Sequence, residues 1–355
     1  MRILAWPAHK FRGENPYSSL LYRRMERLGV EVDEFSVTRL LAGRYDIWHI
    51  HWPEHFLNKA DSAQAYLKSC ALPALMDAAH ALGTRIVWTA HNVYTHERIR
   101  PKLEEFFWNQ FTRRLDGFIS LSKCGVELLL SRHPALRKVP GFAIPHGHYR
   151  GEYPMVYTRS EALQVLGIDS DGPIILNFGA IRPYKGIPEL LRAFKEIPNP
   201  AARLLVVGSC SSRDLELTIR RGASDDARVR LLLQAVPPPQ VQLYFAAADV
   251  AVLPYKEILN SGTALLAVSL ERPVCVPGVD SMMELQQMLG NDWMRTYTGE
   301  FGSAVLQDAI DWSLGPRPTK PCLDEFNWDN IAAITAAVYR DLTGNSHTVQ
   351  IASPA

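Results

Sequence analysis

At 355 residues, with 47% hydrophobic and 21% charged side chains, the chain is long enough for two cores and too apolar to be disordered or collagen-like. Thirty-eight Lys and Arg oppose 37 Asp and Glu, a net charge of +1 that gives no general reason to expect nucleic acid as a partner. Five widely spaced cysteines without a Cys-x-x-Cys pair indicate neither a disulfide framework nor a zinc site, and fit a reducing cytoplasm.

The first residues, MRILAWPAHK, break their apolar run at Pro7, too early for a signal-peptide core. Nothing approaches the ~20 consecutive apolar residues of a membrane span. The expectation is a cytoplasmic protein, either free or lying on the inner face of the plasma membrane. Alternating short apolar runs and amphipathic stretches then predict βα units around a parallel sheet. Strands are expected at Met1–Trp6, Ile47–His51, Arg85–Ala90 and Gly117–Ser120, and helices at Pro16–Leu28, Ala63–Leu82 and Lys102–Leu115. Polar clusters close two of the strands: His49, His51 and Glu54 after one, and His91, Asn92, His96 and Glu97 after the next. Ligands of open α/β sheets bind outside the carboxyl ends of strands, so these clusters fall where a site belongs.

A turn-rich crossing with Pro145, Gly147, Gly151 and Pro154 precedes a second series of strands, Ile174–Phe178, Arg203–Val207, Val229–Leu233 and Val250–Leu253. The predicted architecture is α/β, two Rossmann-like doubly wound domains facing each other across a cleft. Their expected limits are 1–152 and 153–327, with an amphipathic helix at about 328–345 crossing back to the first domain.

In the second series, the loop GAIRPYKGIP follows a strand, and places Arg182 and Lys185 just before a helix with Pro188 in its first turn. Two cations and open backbone N–H groups at one point make an anion site, with a fork and a point charge suited to a diphosphate. A solvated basic loop is the plainer account of an isolated Arg-x-x-Lys, but its position at a strand's carboxyl end speaks against that. Asn260-Ser261-Gly262-Thr263 opens a second helix in the same way, with a polar N-cap and a glycine that lets an oxyanion approach the first turn. Gly179 and Tyr255 flank these loops as further donor-site candidates. In the first series a lone histidine would be an ordinary packing residue. The convergence of His51, Glu54, His91, His96 and Glu97 is not easily explained that way. Zinc held by the same residues is a rival reading, although their spacing matches no HExxH pattern. Asp169-Ser170-Asp171 reads as turn chemistry rather than a metal-diphosphate motif, and neither GxGxxG nor GxxxxGK[ST] is present.

The order of FGAIRPYKG, DVAVLPY, NSGTALLAVSLERPV and the terminal FNWDNIAAITAAVYRDL resembles two-domain GT-B glycosyltransferases that use nucleotide sugars. HWPE, HN followed by HE, HGHYR, IRPYKG and NSGT are similar to motifs of the bacterial GDP-mannose-dependent β-mannosyltransferases of xanthan-type exopolysaccharide assembly. The resemblance implies that Arg182 and Lys185 bind the donor diphosphate with the helix start at Ser261, Gly262 and Thr263, and that His91 faces the donor sugar. It also implies a polyprenyl-diphosphate-linked oligosaccharide as acceptor. Retaining relatives carry two glutamates at positions that are Ile258 and Leu266 here, so an inverting enzyme is expected.

The expected reaction is a single displacement. Glu54, or Glu97 in second place, takes the acceptor proton, and Arg182, Lys185 and the helix start carry the leaving charge without a metal or cofactor. His51, Trp52, Asn92, His96, His146 and His148 are candidates to line the acceptor side or the cleft. Eleven basic and five acidic side chains lie between residues 98 and 159. Over 98–138 cations interleave with Phe106, Phe107, Trp108 and Phe111, a candidate face for an anionic membrane surface, or simply aromatics turned into the core. A UDP-sugar transferase of the same fold, a non-hydrolysing nucleotide-sugar epimerase and a non-catalytic nucleotide-sugar binding protein are the alternatives.

Overall fold

The computed structural model describes residues 1–57, 62–92 and 100–344. Their strands form two parallel six-stranded sheets. The first holds β1 (Arg2–Trp6), β2 (Glu31–Glu34), β3 (Ile47–His51), β4 (Arg85–Ala90), β5 (Gly117–Ser120) and β6 (Gly141–Ala143), in the order β2-β1-β3-β4-β5-β6. The second holds β7 (Ile174–Phe178), β8 (Arg203–Val207), β9 (Val229–Leu232), β10 (Val250–Val252), β11 (Val274–Pro277) and β12 (Met294–Tyr297), in the order β12-β11-β10-β7-β8-β9. The strand order reverses between β1 and β3 in one sheet and between β7 and β10 in the other. Crevices at such reversals are where doubly wound sheets bind their ligands.

The chain divides into two compact units, Met1–Gly147 together with the segment from Glu325, and His148–Asp324. In the first unit, β3 is buried along its whole length, and alternation sends its side chains to two different cores. Trp48 and Ile50 pack with Leu72, Met76, Phe107, Trp108 and Phe111. Ile47 faces Tyr22 and Met25 of the helix Tyr17–Arg27 and Ile331 and Tyr339 of the helix Trp328–Leu342. That last helix is amphipathic, is capped by the Asn327 side chain, and is tied to the first helix by an Arg24–Asp329 ion pair at 3.0 Å. Gly147 is required beneath it, because a Cβ there would stand 2.2 Å from the Trp328 ring. In the second unit β7 and β8 lie at the centre of a core built from Ile175, Leu204, Val206, Leu190, Phe194 and Ile310.

The helix Pro101–Thr112 turns three of its four aromatics inward. Phe107, Trp108 and Phe111 are core residues, Arg114 pairs with Asp77 at 2.7 Å, and of the interleaved face Lys102, Phe106 and Arg113 remain exposed. Among the described residues no helix is long and apolar enough to cross a membrane. Asp169-Ser170-Asp171 sits in the turn before β7, at the amino end of that strand, where the Ser170 hydroxyl donates to the Ala201 carbonyl and accepts from the Gly172 N–H.

Candidate active site

At the reversal in the first sheet, β3 ends at His51 and the chain passes through Trp52 into a single turn, Pro53–Phe56. Trp52 has a left-handed backbone, with φ 42°. Such a conformation costs a non-glycine residue about 1 kcal/mol or more and persists only where its surroundings impose it. The Trp52 indole stacks on the His91 ring, centroids 4.1 Å apart. The turn also carries Glu54 into the interior, 4% exposed, where its Oε1 accepts from the Asn92 amide at 2.9 Å. Burial pushes the Glu54 carboxyl up to about 7; the Asn92 bond and a backbone N–H pull the other way, and Glu104 adds to the rise. A carboxylate that takes up a proton near neutrality is suited to act as a general base.

His49 and His51 leave β3 on the same face and meet Tyr22 and Tyr339 from the two helices packed there. The Thr89 hydroxyl lies 2.7 Å from His49 Nε2. The Tyr22 hydroxyl is 2.8 Å from both His49 Nδ1 and His51 Nε2, and the Tyr339 hydroxyl also reaches His49 Nδ1. His51 Nδ1 is 3.0 Å from His91 Nε2. Burial lowers the His51 pKa to about 3 and holds those of His49 and His91 well below the usual value, so all three rings are neutral at pH 7. Tyr17 presents its edge to His91 at 4.7 Å and also contacts His146 and Trp328. His146 is lowered by burial to about 4 and bonds through Nδ1 to the Gly147 carbonyl. His148 belongs to the second unit, where its Nδ1 accepts from the Arg150 N–H at 3.2 Å. His96 and Glu97 lie outside the described residues.

At the reversal in the second sheet, the loops after β7 and β10 converge. Gly179 has φ +106°, and a Cβ on it would stand 3.2 Å from Thr263 Oγ1 and 3.3 Å from Lys185 Nζ. Gly186 is equally constrained, with φ +67° and a Cβ position only 2.1 Å from the Pro254 carbonyl. Together these glycines let the helix Ile187–Lys195 begin close against β10. Lys185 is buried, 7% exposed, with its ammonium 5.1 Å from the centre of the Tyr255 ring. Among the described residues no carboxylate pairs with it. Burial lowers its pKa, opposed by Tyr184, and Arg182 lowers it further. The Tyr255 hydroxyl is raised to about 12 by burial, with the Thr263 and Ser261 side chains pulling the other way. Ser261 caps the helix Gly262–Ser269 by accepting from the Ala264 N–H at 3.0 Å, which leaves the N–H groups of that helix's first residues open to a ligand. Asn260 is half-buried just before the cap. A cavity of about 910 Å³ lies beside this site at the ends of β10, β11 and β12. On its wall Glu189 is paired with both Lys256 and Arg192 at 3.0 Å, in contrast to the uncompensated Lys185.

The sequence reading placed Glu54, His51 and His91 correctly at the strand ends but gave no place to Tyr22, Thr89, Tyr339 or Tyr17. The available signal was the His-x-His spacing inside β3, which puts two imidazoles on one buried face. Tyr22 and Tyr339 fall on the apolar stripes of their helices and look like ordinary core. Among the described residues no group of three or more His, Cys, Asp or Glu is arranged to hold a metal ion.

The profile of the group 1 glycosyl transferases matches residues 172–293, the part of the second unit that carries Arg182, Lys185 and the segment from Asn260 to Thr263. A GDP-mannose:glycolipid 4-beta-D-mannosyltransferase of Xanthomonas campestris pv. campestris is 31% identical over 336 residues, 93% of this chain and 89% of that protein. Among solved structures, sucrose-phosphate synthase from Thermosynechococcus elongatus aligns at a TM-score of 0.69 with 17% identity, over 98% of this chain and 100% of the other. Anabaena Alr3699/HepE in complex with UDP and glucose aligns at 0.67 with 14% identity, over 97% and 98%. The chain therefore belongs to the group 1 glycosyltransferases and is a glycosyltransferase of GT-B fold, with two Rossmann-like units.

Proposed function

We propose that the protein transfers mannose from GDP-mannose to a hydroxyl of a lipid-diphosphate-linked oligosaccharide, with inversion, in bacterial exopolysaccharide synthesis. The observation that carries this reading is the likeness to the Xanthomonas mannosyltransferase along 93% of the chain. The chemistry of the two sites supports it. In the second unit Arg182, the buried Lys185 and the N–H groups of the helix Gly262–Ser269 hold the diphosphate. In the first, Glu54 is the base. The acceptor oxygen attacks the anomeric carbon, the bond from that carbon to the diphosphate oxygen breaks, the acceptor proton passes to the Glu54 carboxylate, and GDP departs. Charge growing on the diphosphate is met by preorganised cations and dipoles, the term that usually contributes most to such a transfer. These cations do the work of a divalent ion, so transfer is expected to persist in EDTA.

A thermal-shift series with GDP- and UDP-sugars followed by a transfer assay tests the reading. Stabilisation by GDP-mannose and mannosylation of a polyprenyl-diphosphate oligosaccharide are expected. Stabilisation by UDP-sugars alone would reassign the donor. Conversion of the donor without an acceptor would indicate an epimerase, and stabilisation without turnover a binding protein. For the membrane, Lys102, Phe106 and Arg113 are the surface offered to anionic lipid. Co-sedimentation with anionic vesicles should fall when all three are replaced by Ala.

A further inference from the structure

The chain of hydrogen bonds behind His91 has a direction, and it is set at its buried end. The Thr89 hydroxyl is 1% exposed and, among the described residues, His49 Nε2 is its sole partner. If Thr89 accepted from His49, its own O–H would be left unmet in the interior, which is worse than an unused lone pair. Thr89 therefore donates to His49 Nε2. A neutral imidazole carries one hydrogen, so His49 carries its hydrogen on Nδ1 and donates to the tyrosine hydroxyls beside it. Both hydroxyls lie within reach of that one hydrogen, so the Tyr22 oxygen accepts from His49 and Tyr22 has its own hydrogen to give. The Tyr22 hydrogen then points to His51 Nε2 at 2.8 Å. His51 in turn is protonated on Nδ1 and donates to His91 Nε2 at 3.0 Å.

We propose that Thr89, His49, Tyr22 and His51, with Tyr339 as a second acceptor for His49, form a one-way donor chain that fixes His91 as the neutral tautomer with its hydrogen on Nδ1. His91 is then a hydrogen-bond donor in the transfer and not a base, which leaves proton abstraction to Glu54. The five residues behind it are positioning residues. Burial keeps all three imidazoles neutral, so each ring has one hydrogen to place and the direction set at Thr89 is passed along intact. Tyr339 comes from the C-terminal helix, so that helix helps order the site as well as covering the sheet. The tautomer follows from the contacts alone; only the part His91 plays in transfer rests on the proposed function.

Side-chain 1H–15N correlation spectra of protein labelled with 15N-histidine at pH 7, with His91 assigned through His91→Gln, read the tautomer without any need for turnover. The wild type should show His91 protonated on Nδ1 and bare on Nε2. Thr89→Val and Tyr22→Phe, both near-isosteric, should introduce the second tautomer, and Thr89→Ser should restore the first. With GDP-mannose, Thr89→Val should lower kcat by about ten- to a hundredfold, as losing an orienting partner behind a working imidazole does, with the donor KM unchanged. A wild-type His91 protonated on Nε2, or a tautomer indifferent to both Thr89→Val and Tyr22→Phe, would overturn the proposal. If the tautomer responds as stated while the wild type moves no mannose, the chain stands and the assigned reaction fails. Mannose transfer with an unresponsive tautomer overturns the chain alone.

Discussion

Glu54 illustrates how one residue ties stability to chemistry. Its folded pKa of about 7 lies above the usual 4.5, so between those two values the folded state holds a proton that the unfolded state has lost. Stability therefore falls as pH rises through that window, and stays reduced above it. Glu54→Gln keeps an acceptor for Asn92 and removes the charge. At pH 8 it should raise the unfolding free energy by about 2–3 kcal/mol, while at pH 4.5 the variant and the wild type should differ little; denaturant titrations at the two pH values check this. The same variant should bind donor normally and lose at least about a hundredfold in kcat. The wild-type rate should rise with pH through about 7 and then level off.

Gly179 makes the matching case in the second unit, because a methyl group there would occupy the space between Thr263 and Lys185 on a backbone that disfavours side chains. Gly179→Ala should weaken donor binding at least tenfold by calorimetry, that is by about 1.4 kcal/mol, with far less effect on Glu54-dependent stability. Both Glu54 and Gly179 could be found in the sequence because they stand at strand ends, where a polar residue or a glycine breaks the apolar pattern. Tyr22, Thr89 and Tyr339 conform to the pattern, and only three-dimensional contact separates them from packing residues.

At the scale of elements, the central strands were legible because they are continuous buried runs. β3, β4, β5, β7 and β8 stand at the limits expected from sequence. β2, β6, β11 and β12 were not anticipated. Glu31–Glu34 is a charged edge strand, Gly141–Ala143 has three residues, and Met294–Tyr297 is half-exposed at the far edge, so these three offer no apolar run to read, whereas β11 is a buried apolar run of only four residues that follows directly on an apolar helix. The helix Pro101–Thr112 shows the opposite limit. Cations interleaved with aromatics look like a membrane face in sequence, yet helical spacing takes Phe107, Trp108 and Phe111 to the interior and leaves Phe106 outside. The helix Gly262–Ser269 combines both kinds of demand at its first turn. Ser261→Ala should cost about 1 kcal/mol through the lost cap, seen as a lower Tm, and should also weaken GDP-mannose binding. A loss of stability with donor affinity intact would show that the helix start is structural only.

Across the whole molecule, a net charge of +1 describes neither unit's chemistry. It averages a buried ammonium that no carboxylate offsets among the described residues of the second unit with a buried carboxyl and neutral histidines in the first. The end of the chain is part of this organisation. The helix Trp328–Leu342 buries Trp328, Ile331, Ala332, Ala336, Val338 and Tyr339 against the first unit, each large side chain contributing roughly 1.5–3 kcal/mol of burial. Ending the chain at residue 327 should therefore unfold the first unit, followed as loss of its cooperative melting transition, instead of merely shortening the protein.

The central claim, a single displacement of GDP from mannose with Glu54 as base, is tested most directly by the anomeric configuration of the product. GDP-mannose carries an α-linked sugar, and one displacement inverts it. Proton NMR of the glycan formed from GDP-mannose and a polyprenyl-diphosphate oligosaccharide should show a β-mannoside, formed by the wild type and absent with Glu54→Gln. An α-mannoside, or a β-mannoside formed equally well by Glu54→Gln, would contradict it.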